Sequence, residues 1–156
     1  MSEDEQNKQS VSLAMENIGY QNDLRSDLDS DFHRIKSALV NDDLKSLIHL
    51  LENKNVDTLI KCLLEASKIG TEGSVSRIID QLQVTSKDVD IYNITGSGGN
   101  TVLHVAAESR TTNATKIMDR LLTEDLRLLE KENEERKTPL HSAAYGNITM
   151  VQQLWN

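Results

Sequence analysis

The chain has 156 residues, a formal net charge of −8, an apolar fraction of 37% and only five aromatic side chains. This is one domain's length with room for a core, and Leu, Ile, Val and Ala without large rings suit packed helices better than a sandwich or barrel. No basic stripe of the kind that phosphate-backbone binding needs is present, which argues against nucleic acid as a partner, and no apolar run reaches the length of a membrane span. The first residues lack the basic start and apolar stretch of a signal peptide, and the single cysteine, Cys62, excludes an internal disulfide framework. These features together point to a reducing, intracellular, cytoplasmic location, with no direct membrane contact by this segment.

Residues 1–31 hold eight acids (Glu3, Asp4, Glu5, Glu16, Asp23, Asp27, Asp29 and Asp31) against Lys8 and Arg25. An acidic, Ser/Asn/Gln-rich stretch with few apolar residues reads as a disordered, solubilising tail. Helices are then expected over about 32–40 and 43–52. In "ALVNDDLKSLIHLL" (38–51), Leu44, Leu47, Leu50 and Leu51 share one helical face, and Asp42 stands at the turn. A second pair is expected over about 57–68 and 74–83, within "CLLEASKIGTEGSVSRIIDQL" (62–82). A third follows over 101–109 and 113–122, and a fourth over 138–145 and 148–155. The segment "EDLRLLEKE" (124–132) adds a helical turn or extends the helix before it. The stretches "KIGTEGSVS" and "ESRTTNATK" read as lengthened turns that project as surface loops.

The last two pairs are copies of one unit. "GGNTVLHVAAE" (98–108) recurs 37 residues later as "ERKTPLHSAAY" (135–145), so that Thr101 matches Thr138, Leu103 matches Leu140 and His104 matches His141. Each position has a physical reason. The threonine hydroxyl can cap the helix start, and Pro139 suits the first helical position, where no amide donor is needed. Leu140 is expected in the core, and paired alanines let neighbouring helices approach closely. Gly146 allows a positive-φ turn into the second helix. Met150, Val151, Leu154 and Trp155 then fall on one face.

The Gly-rich loop 95–100 is not a phosphate cradle. A P-loop counted from Gly96 requires Gly and Lys where Thr101 and Val102 stand, and a dinucleotide fingerprint also fails at Thr101.

The T-x-L-H-x-A-A pattern at 101–107 and 138–144 resembles the ankyrin repeat. The resemblance implies an all-α solenoid of stacked helix-turn-helix units with short β-hairpin fingers, over 32–156. Its units would be cap-like (32–56), degenerate (57–92), and two regular repeats (93–132 and 133–156), the last apparently truncated. In the degenerate unit Leu64 lies 39 residues before Leu103, with Glu65 in place of the histidine and Lys68 in place of the second alanine.

In such a family the two motif histidines are structural hydrogen-bonders, and no catalytic, metal or cofactor constellation is found. Cys62 sits among apolar neighbours and reads as core. Thr101, Leu103, His104, Thr138, Pro139, Leu140 and His141 form the structural motif. Partner contact falls to the finger positions Ser97, Gly98, Asn100, Glu134, Glu135 and Lys137, and to the helix positions Val105, Glu108, Ser142 and Tyr145. Tyr145 is the strongest anchor candidate. The expected function is a non-catalytic scaffold that binds another protein on its concave face. The alternative is the N-terminal cytosolic ankyrin segment of a larger membrane-anchored protein, such as a plant ankyrin membrane protein or an ankyrin-bearing cation channel. The last helix pair carries no polar cap, which predicts fraying or self-association through that end.

Overall fold

Residues 30–40 form the first helix, α1; the computed structural model describes residues 30–69 and 71–156. The acidic tail expected over 1–31 lies, up to residue 29, outside the described residues, and residues 30 and 31 are helical. The chain divides into two units, 1–34 and 35–156. In the first, the described residues 30–34 are helical and Arg34 pairs with Asp31 at 3.8 Å.

The second unit is built of helix pairs. From residue 35 onward α1 buries Ile35, Ala38 and Leu39, the i, i+3, i+4 stripe of an amphipathic helix. The chain reverses through Asp42 at φ +52°, where the repeat pattern would place glycine. Asp43 then caps α2 (Leu44–Leu51) by accepting from the Ser46 amide at 3.1 Å. A further left-handed residue, Asn53, ends that helix, and the Asn55 side chain accepts from Thr58 N–H at 2.8 Å to start α3 (Val56–Ile69). After α4 (Glu72–Thr85) come α5 (Val102–Glu108), α6 (Ala114–Glu124), α7 (Pro139–Ala144) and α8 (Ile148–Trp155). Short 3-10 turns cover Ile91–Asn93, Ser97–Gly99 and Leu126–Leu129.

Two layers result. The inner helices α3, α5 and α7 stack in sequence, and the outer helices α2, α4, α6 and α8 stack behind them. The core lies between, with Leu59, Leu63, Ile78, Leu82, Leu103, Ile117 and Leu121 fully buried. Each such side chain contributes roughly 1.5–3 kcal/mol by leaving water. Polar struts cross the outer layer: Gln83 donates to Glu124 and Gln153 to Asp119, each at 2.7 Å, and Arg120 pairs with Asp80 at 3.3 Å and with Glu124.

Four expectations need correction, the first being that Gly146 turns at positive φ, which among the described glycines only Gly98 and Gly99 do. The stretch 68–76 is not a lengthened loop: α3 runs to Ile69 and α4 starts at Glu72, whose carboxylate accepts from the Ser76 hydroxyl one turn on at 2.9 Å. Of the two stretches, 109–113 is the one that forms an inter-helix loop among the described residues. In the degenerate unit the register slips by one residue along α3. Leu63, not Leu64, takes the buried place of Leu103, and Ala66-Ser67 takes that of Ala106-Ala107. The small pair is therefore kept, and Leu64 is only half-buried. Finally, Leu140 is half-buried where Leu103 is fully buried. Inner helix α5 packs against both α3 and α7, whereas among the described residues α7 has an inner neighbour on one side only.

Candidate functional site

The first motif closes on itself. Thr101 N–H donates to His104 Nδ1 at 3.2 Å, the Thr101 hydroxyl meets the same nitrogen at 2.8 Å, and His104 N–H points back to Thr101 Oγ1 at 3.4 Å. These contacts make Nδ1 the acceptor, so the ring proton sits on Nε2. Nε2–H donates to the Lys137 carbonyl at 2.8 Å, which ties one repeat to the finger of the next. Burial holds the His104 pKa below the usual imidazole range, outweighing the opposing bond to Lys137. Thr138 and His141 repeat the local geometry, with Thr138 N–H to Nδ1 at 3.2 Å and the hydroxyl at 2.9 Å. His141 is exposed, however, not buried as its copy is. Pro139 is buried at the first helical position.

The fingers are backbone constructions. Residues 95–101 reverse through Gly98 and Gly99, both at φ +69°, and close with an antiparallel bridge between Thr95 and Thr101. That bridge is the whole of the hairpin pairing among the described residues. The next finger closes by Asn133 N–H to the Lys137 carbonyl at 2.9 Å, with Asn133 Oδ1 accepting from Glu135 and Lys137 amides at 3.0 Å each. The fingers then stack. Glu134 N–H donates to the Gly98 carbonyl at 3.0 Å, and Asn133 donates to Asn100 Oδ1 at 2.7 Å. A Cβ on Gly99 would sit 3.1 Å from the Glu134 backbone nitrogen at a φ of +69°, so a larger residue here would be strained and would crowd the next finger.

Between the fingers and the inner helices runs a groove of about 610 Å³. Its apolar lining comes from Leu64 and Val105, and its polar rim from Glu65, Lys68, Glu108 and Arg110. A family model for ankyrin repeats, in three copies, matches residues 12–156. The chain belongs to the ankyrin-repeat family. No curated protein matches it, and neither does a solved structure. Ankyrin repeats are in general protein–protein interaction modules, and the family is typically non-catalytic.

Within this ankyrin array the candidate contact residues divide. Val105 and Glu108 lie in the groove, and Tyr145 stands 75% exposed at the end of α7, with Lys137 Nζ 5.4 Å from its ring centre. Lys137 also pairs with Glu135 at 2.5 Å, which raises the lysine pKa and lowers that of the carboxyl. Ser142 is buried and donates to Glu108 at 3.3 Å, so its hydroxyl faces its neighbour and not the open face. Asn100 lines the groove, and its side-chain carbonyl is engaged by Asn133. Glu134 meets the preceding finger through its backbone. Leu64, Glu65, Lys68 and Arg110 were not among the expected contact positions. The retained small pair Ala66-Ser67 was the available signal, because it places Lys68 in line with Glu108 and Tyr145, one per ankyrin repeat.

Proposed function

We propose that this chain is a non-catalytic scaffold that binds a partner protein along the groove face of its inner helices and fingers, inside the cell. One observation carries the reading. The chemically versatile motif groups, Thr101 and His104, are buried and bonded to each other and to the next finger, while varied side chains at Lys68, Glu108 and Tyr145 face outward from a fixed frame. Conserving the frame's geometry while varying the surface side chains is how a rigid scaffold presents binding residues. Affinity capture with Val105→Arg, Tyr145→Ala and the outer-face control Lys116→Glu tests it. A partner retained by the control and lost by both inner-face variants supports the scaffold; one retained by all three refutes the site.

A second reading is favoured by the far end of the array. Ile148 and Trp155 on α8 are 76% and 80% exposed, and these are apolar side chains that a further repeat could cover. This fits an ankyrin segment of a larger, membrane-anchored protein, or self-association through the same surface. Among the described residues no helix is long and apolar enough to cross a membrane. Sedimentation of the wild type against Ile148→Lys separates the two: association lost in the variant favours self-association, and a monomer in both favours a covering segment supplied in cis.

A further inference from the structure

The groove's charged groups differ in what they already hold. Glu65 is paired with Lys36 at 2.9 Å, and Glu108 accepts from the Ser142 hydroxyl at 3.3 Å. Lys68 and Arg110 line the same groove, are exposed, and among the described residues have no hydrogen-bond or ion-pair partner on their side chains. Arg110 is nonetheless placed. Its Nε and Cγ lie 3.2 and 3.5 Å from where a Cβ on Gly146 would stand, so the missing side chain at 146 lets the guanidinium side chain lie across the next repeat. Acids outnumber bases by 25 to 17 over the whole chain, yet in this groove Lys36 offsets Glu65 and leaves two cations against the single carboxylate of Glu108. A bound segment gains most by supplying what the groove lacks, carboxylates for the two cations and an apolar side chain for the space between Leu64 and Val105.

We infer that the groove accepts an acidic peptide segment of the partner protein, with an apolar residue seated against Leu64 and Val105 and flanking Asp or Glu residues bonded to Lys68 and Arg110. The inference rests on the groove being the binding face. Arginine is suited to a bidentate grip on a carboxylate, and Lys68 supplies a second point charge, so the pair reads the segment's charge pattern and the apolar floor reads its side chain.

The test is selection of a displayed random-peptide library on the full 156-residue chain, followed by titration calorimetry with synthetic copies of the selected peptides. Apolar residues flanked by Asp or Glu should be enriched, and Lys68→Glu and Arg110→Glu should each weaken binding at least tenfold. Lys68→Gln should weaken it less than the charge reversal. Melting curves of all variants should match the wild type, since both positions are exposed. If selected peptides are lost on Val105→Arg but carry no acidic residues, or are indifferent to both charge reversals, the groove stands and the acidic specificity is overturned. If nothing is selected, or binding survives Val105→Arg, the groove reading falls and this inference with it.

Discussion

His104 spends both ring nitrogens on structure, one within its own turn and one on the Lys137 carbonyl of the next finger. His104→Ala should therefore strand buried partners and lower stability by about 1–3 kcal/mol, while His141→Ala, at an exposed ring, should cost less. Equal losses in thermal melts would contradict this difference. The depressed His104 pKa also sets a pH dependence. The unfolded chain takes up a proton near pH 6.5 that the folded chain resists, so this contribution is present above that pH and declines as pH falls toward the lower folded value. His104→Ala should flatten the acid side of a stability-versus-pH curve, and an unchanged slope would count against the assignment. Burial has the opposite effect on Cys62, whose pKa is pushed up to about 11. Its thiol should resist alkylation in the native protein at pH values where the unfolded chain reacts. Arg136, at φ +57°, occupies the left-handed position that Gly99 fills one repeat earlier. Arg136→Gly should stabilise by roughly 0.5–1 kcal/mol, read from a shift in the urea midpoint.

At the scale of an element, the fingers are stacked turns, and the two glycines of the first one do different work. Gly98 has open space around a new Cβ, whereas Gly99 meets the Glu134 backbone. Ala at either position bears the positive-φ cost, so the excess loss in Gly99→Ala over Gly98→Ala should report the finger-to-finger contact alone. Equal losses would mean that the stack contributes nothing. The helix pairs were legible because i, i+3, i+4 spacing and the duplicated T-x-L-H unit are local signals, and α5 to α8 lie within two residues of expectation. The finger positions were legible only as positions: backbone bonds such as Glu134 to Gly98 leave little trace in side-chain identity. The register of α3 was misread for a physical reason. Three apolar residues in a row, Cys62, Leu63 and Leu64, offer two helical phases, and only packing against α4 and α5 chooses between them. That choice hid Leu64 and Lys68, and with them half of the groove.

Across the whole array, α5 is flanked by inner helices on both sides and α7, among the described residues, on one. Stability in a stacked array is a sum of nearest-neighbour terms, so hydrogen exchange should show greater protection over 102–124 than over 139–155. Equal protection in a strict monomer would refute that gradient. Trp155, the only tryptophan in the chain, sits 80% exposed on the last helix. The intrinsic chromophore is thus already in water in the native state and remote from the Leu103 core. Its fluorescence should shift little when the protein unfolds, and an emission-monitored denaturation curve would look flat while circular dichroism records the loss of helix. A tryptophan introduced at half-buried Leu122 would turn the same optical signal into a gauge of the central repeat.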